Sequence, residues 1–252
     1  MKTGICHICG MIKKLSFEHV PPSSCFNSIR QGVYHGYDAI KQHLNKNGKL
    51  LIQQRGHGGH TLCEKCNNNT GSWYADDYKN FCYQAAQYVA KAGDNIDIFI
   101  PYYIYPNRVL KQIVVMMFSL NTELFQSHNQ ELVRYVLNPR CGRLPPDCRI
   151  FICYNLYAST QRWIGDAKSV NTINGMVIPI SDIAYWPFGM VMTQNFPPID
   201  RNLIEISYWD RYGYDELKVM FLKLPVLGSV TPYPGAYFDG KTARKLRHKG
   251  VV

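Results

Sequence analysis

Apolar and polar positions change period along this chain, and each change predicts an element. Residues 15–20 (LSFEHV) read as a short strand that Pro21 and Pro22 must end, because proline cannot continue a hydrogen-bonded ladder. Residues 49–54 (KLLIQQ) predict another strand, and residues 38–45, with Ile40 and Leu44 on one face, a short helix. From Ser72 the positions Tyr74, Tyr78, Cys82, Ala85 and Val89 keep a helical spacing that ends near Gly93. Further helices are predicted over 107–120 and 129–137, the second stopped by Asn138 and Pro139. Beyond them the chain turns to strands. Residues 149–156 form one, Asn174-Gly175 signals a hairpin turn, and residues 203–209 and 217–222 predict an antiparallel pair. The pattern implies an α+β protein of antiparallel strands and a few helices, without repeats.

Composition sharpens this only in part. Over 252 residues, 18% charged and 13% aromatic side chains give a globular balance with enough apolar content for a core. The most apolar run, residues 113–120, is far short of the roughly 20 residues a membrane span needs and reads as a buried helix. The first residues lack the apolar core of a signal peptide, so the expected compartment is the cytoplasm, where thiols stay reduced. A formal charge of +10 favours a polyanionic partner, nucleic acid first.

Nine cysteines in such a compartment are metal ligands or buried thiols. Cys6 and Cys9 form one Cys-x2-Cys knuckle and Cys63 and Cys66 a second, the spacing that lets two thiolates grip one tetrahedral zinc. Clipping residues 10–62 between them costs little more than closing a short loop, because closure entropy grows only logarithmically. Four cysteines saturate a structural zinc, so His7, His57 and His60 are expected to serve elsewhere. Cys25, Cys82, Cys141, Cys148 and Cys153 form no such pairs and read as small buried hydrophobes. Glu18 and His19 sit together before the prolines, and Asn67 follows Cys66 directly. On a regular strand Glu18 and His19 point to opposite faces, so one site needs the backbone to twist or break, which the prolines favour. Zinc would pin their strand against the segment carrying Asn67. Asn68 and Asn69 read as a helix cap and a turn before Gly71.

Taken in order, Cys-x2-Cys, Glu18-His19-Val20-Pro21-Pro22 and Cys-x2-Cys-Asn resemble the HNH endonuclease family. The resemblance is narrowest to its four-cysteine ββα-metal members, phage resolving endonucleases among them, and covers residues 4–75. It implies that His19 deprotonates the attacking water, and that Glu18 and Asn67 hold a catalytic Mg²⁺ or Mn²⁺. The implied reaction is one-metal phosphodiester hydrolysis, with DNA the expected substrate. Small proteins of this kind with an added domain resemble effectors of bacterial antiviral defence, restriction enzymes and mobile-element nucleases, and the defence setting is the expectation here.

Two departures stand out. Glutamate replaces the family's usual aspartate, and its central base-orienting asparagine has no match in residues 54–60 (QRGHGGH), leaving His57, His60 or a backbone carbonyl for that role. The glycines there suit either close approach to a phosphate backbone or a tight hairpin.

The resulting division is a zinc-stabilised nuclease module over 1–75 with an insertion at about 23–60, then an α+β domain over 76–252 for targeting, self-association or docking of a regulatory partner. Lys41, Lys49 and Arg55 in the insertion, and Arg244, Lys245 and Arg247 in the tail, are candidate nucleic-acid contacts or ordinary solvated charge. The rival from another class is a non-catalytic zinc module that binds nucleic acid or protein.

Overall fold

A computed structural model describes residues 2–35, 38, 48–92, 97–156, 161–170, 177–194 and 203–226. The protein is α+β. Strand β1 (Lys2–Ile5) pairs antiparallel with β2 (Ile12–His19), which pairs with β5 (Gly58–Cys63), forming a three-stranded sheet. Between β2 and β5 lie β3 (Gln31–His35) and β4 (Leu50–Gln53). These do not stay with their neighbours in sequence. They join β7 (Cys148–Tyr154), β8 (Gln161–Val170), β9 (Val177–Tyr185), β10 (Phe188–Gln194) and β11 (Ile204–Glu205) in a seven-stranded sheet ordered β11-β7-β10-β9-β8-β3-β4. Its β3–β8 contact is parallel and its other pairs antiparallel. β6 (Ile100–Ile104) and β12 (Lys218–Leu222) make a separate two-stranded sheet.

One long helical run follows β5 without a loop. Helix α1 (Glu64–Thr70) passes through a π-turn (Gly71–Ala75) into α2 (Asp76–Ala92). Sequence patterning placed a cap and turn at Asn68 and Asn69, but both are helical and Gly71 continues in the right-handed region. The burial of Cys66, Thr70, Tyr74 and Tyr78 on one stripe overrides the local turn preference of asparagine and glycine. Their spacing of four is wider than an α-helix repeat, and the π-turn keeps the stripe on one face.

Helix α3 (Pro106–Leu120), begun by proline in its first turn, is buried from Pro106 to Phe118 apart from Arg108. It lies at the centre of the molecule, packed against α2, the π-turn and strands β5, β8 and β9. Helices α4 (Phe125–His128) and α5 (Gln130–Leu137) complete the helical layer. One apolar cluster runs from Cys6 to Leu224 and so includes residues on both sides of residue 75. A smaller one, with Phe151, Cys153, Ile180, Val191 and Leu203, is separate from it.

The expected pairing of 203–209 with 217–222 does not form. Ile204 and Glu205 pair with Ile152 and Phe151, residues Ser207–Arg211 coil into a 3₁₀ turn that buries Trp209, and β12 pairs with β6. Alternation specifies which side of a strand is apolar, not which strand becomes its neighbour. The helix expected over 38–45 and the turn at Asn174-Gly175 fall outside the described residues, although β8 and β9 on either side of that turn do pair antiparallel. Among the described residues no helix is long and apolar enough to cross a membrane.

Candidate metal and catalytic site

The two knuckles meet. The sulfurs of Cys6, Cys9, Cys63 and Cys66 all lie within 4.8 Å of one another, with Cys9 and Cys63 at 3.9 Å. Cys6 and Cys9 flank the turn between β1 and β2. Cys63 ends β5 in an extended conformation, and Cys66 lies in the first turn of α1. The Cys63 amide donates to Cys6 Sγ at 3.3 Å. The Cys66 thiol and nearby backbone amides pull the Cys6 thiol down to about 4 despite its burial, while Cys66, which gives that hydrogen, is pushed far up. Four sulfurs gathered this tightly suit a soft divalent cation, and the donor set fits zinc. His7 stands outside this group, and its Nδ1 meets the Phe118 carbonyl at 3.2 Å, tying the first knuckle to the end of α3. All nine cysteines are free thiols, and Cys25, Cys82, Cys148 and Cys153 are buried as expected, Cys141 only partly.

Beside this cluster Glu18, His19 and Asn67 line one cleft of about 210 Å³, with Pro22, Thr70, Gly71 and Gln112 among its other walls. Two backbone irregularities flank Glu18 and His19, a cis Val20–Pro21 peptide just after β2 and a bulge within it. A bulge between Ser16 and Phe17 resets the alternation of β2, so that Leu15 and Glu18, three positions apart, are both buried. Glu18 is 7% exposed, and its Oε2 accepts hydrogen bonds from Ser119 on α3 and from Thr61 at 3.3 Å. Burial pushes its carboxyl up from 4.5 to about 7, against the opposing pull of the two hydroxyls. Asn67 donates its amide to Ser16 Oγ at 3.1 Å, and Ser16 donates onward to the Leu62 carbonyl, which leaves the Asn67 side-chain oxygen as the amide's acceptor. A carboxylate and an amide oxygen on one cleft fit a hard cation such as Mg²⁺ or Mn²⁺.

His19 is oriented by a backbone carbonyl. Its Nε2 lies 3.0 Å from Arg55 O. A carbonyl only accepts, so Nε2 carries the hydrogen and Nδ1 keeps its lone pair. Neither His57 nor His60 does this work. The buried His57 ring packs on Trp163 at 3.5 Å and His35 at 4.3 Å, with both nitrogens unpartnered, and burial with the charge of His35 lowers it to about 3. The exposed His60 lies edge-on to Phe17, which also contacts His19.

The residue that braces this loop is Asn27, which patterning did not single out. Fully buried, it donates to the carbonyls of Pro21 at 2.6 Å and His57 at 2.7 Å, and accepts the His57 amide at 2.7 Å. Those bonds stitch the chain leaving β2 to the chain entering β5, one residue beyond Gly56 and two beyond Arg55. The loop glycines serve backbone contacts here. A Cβ on Gly58 would stand 1.9 Å from the Glu18 carbonyl, and Gly56, at φ +83°, would put one 1.9 Å from the Asn27 carbonyl. Lys49 and Arg55 are exposed, whereas Lys41, Arg244, Lys245 and Arg247 lie outside the described residues.

Fold and site together define an α+β protein with a four-cysteine cluster near its N-terminus that could hold a metal ion such as zinc. No protein-family model, curated protein or solved structure matches the chain.

Proposed function

We propose that this chain is a metal-dependent endonuclease of HNH type that hydrolyses phosphodiester bonds in DNA. The observation that carries the reading is the meeting of Glu18, His19 and Asn67 on one cleft beside the four-cysteine cluster. The succession β2, β5, α1 supports it as a ββα unit, with zinc on the cysteines as its clasp. Glu18 and Asn67 would hold Mg²⁺ or Mn²⁺, which when bound supplies charge stabilisation at the scissile phosphate. His19 takes the proton of the attacking water on Nδ1, because Arg55 O engages Nε2. The exposed Arg55 and Lys49 side chains and the net charge of +10 suit a phosphate backbone. Bacterial antiviral defence, with control by a protein partner or by self-association, is the setting we propose.

A second reading, a non-catalytic zinc module that binds nucleic acid or protein, is favoured by the two hydroxyls that already satisfy Glu18. Nicking of supercoiled plasmid in Mg²⁺ or Mn²⁺ separates the two. His19→Ala is expected to abolish cleavage while zinc content and thermal midpoint stay those of the parent. A variant that cuts as well as the parent sinks the catalytic assignment, and a parent that cuts with neither ion leaves the binding module or a nuclease gated by its partner.

A further inference from the structure

Helix α3 carries five polar side chains among its apolar ones, and four have protein partners. Asn107 bonds Tyr212 O and Tyr135, and Arg108 bonds Asp77 and Asp215. Lys111 caps the carbonyls of Tyr135, Asn138 and Cys141, and Ser119 holds Glu18. Gln112 is the exception. It is 3% exposed, and its buried Oε1 has no hydrogen-bond partner. Buried polar atoms are satisfied in the great majority of cases, so an orphan acceptor points to a missing partner.

Its position says which partner. Gln112 lies two turns before Ser119 on the same stripe of α3 and lines the cleft shared by Glu18, His19 and Asn67. The facing wall is the π-turn, where a Cβ on Gly71 would meet nothing within 4 Å, and such turns recur at functional sites. An amide oxygen accepts a hydrogen bond or ligates a cation, and the oxygens of Glu18 and Asn67 on the same cleft favour the cation. A hard divalent ion held by Glu18 and Asn67 alone is short of oxygen ligands.

We infer that Gln112 is a third oxygen ligand of the divalent ion in this cleft, supplied by a helix outside the N-terminal module. The inference rests on the proposed nuclease reading, and it makes the cation site a composite of β2, α1 and α3.

Calorimetric titration of Mn²⁺ into the full-length, zinc-loaded chain tests it. Gln112→Leu is expected to weaken Mn²⁺ binding about tenfold, and Gln112→Glu, which restores an oxygen and adds charge, to bind at least as tightly as the parent. Glu18→Gln is the control for the site itself. If Glu18→Gln loses Mn²⁺ while both Gln112 variants bind like the parent, Gln112 is no ligand and the nuclease reading stands. A lower thermal midpoint for Gln112→Leu with unchanged Mn²⁺ affinity assigns it a packing role and also overturns the inference. A parent that takes up no Mn²⁺ removes both the inference and the cation site beneath it.

Discussion

Ser119, on the last turn of α3, donates its hydroxyl to the carboxylate of Glu18 on β2, across 101 positions of sequence. The central helix therefore holds the acid of the candidate site in place, and the four-cysteine cluster is not its only support. With Thr61 the hydroxyl compensates a carboxylate that would otherwise be buried without a partner. Ser119→Ala removes the stronger of these bonds. The expected result is a loss of about 1–2 kcal/mol of stability and a several-fold rise in the Mn²⁺ dissociation constant, read by thermal unfolding and calorimetry.

The same carboxyl imposes a pH dependence. Folded and free of cation, Glu18 keeps its proton to about pH 7, whereas an unfolded chain releases it near 4.5. The folded chain then binds more protons over that window, so this group's contribution to stability is full below pH 4.5 and is lost as pH rises to 7. Binding of the ion must expel that proton, so affinity for Mn²⁺ is expected to rise up to tenfold per pH unit below 7 and flatten above it. Glu18→Gln removes this component of the unfolding profile, which is obtained as the difference between the parent and the variant, both loaded with zinc.

Zinc is expected at one ion per chain. A structural four-cysteine site contributes roughly 10–16 kcal/mol to folding, comparable to the whole stability of a typical protein, about 5–15 kcal/mol. Cys63→Ser should therefore lose both zinc, by elemental analysis, and the folded far-ultraviolet spectrum. A folded variant without zinc would remove the structural role.

Asn27 offers a test of positioning without contact to the cleft's cation. Asn27→Leu removes the side-chain bonds to the Pro21 carbonyl and the His57 amide, whereas the His57 carbonyl keeps the bond from the Val20 amide. A stability loss of about 2–4 kcal/mol is expected. Cleavage should fall at least tenfold with zinc content and Mn²⁺ affinity retained, because the Arg55 carbonyl that orients His19 sits in the same loop. Unchanged cleavage in the folded variant would show that the loop is held by other means.

The legible part of this protein is local. Each knuckle is a turn of four residues whose spacing alone lets two sulfurs share an ion, so both could be read from sequence, and Glu18, His19 and Asn67 stood out by their places beside them. Helices α3 and α5 and strands β2, β4 and β7 also follow from short-range periodicity, which reports the burial of one face. What periodicity could not report is which buried faces meet. The partners of β11 and β12, the bulge that turns Glu18 inward, the cross-link through Asn27, and the approach of Ser119 and Gln112 from α3 all depend on contacts between distant segments. Polar residues on a buried helix look alike in sequence. Packing alone decided that Lys111 would cap carbonyls, that Ser119 would hold a carboxylate, and that Gln112 would line the cleft with its buried oxygen unpaired.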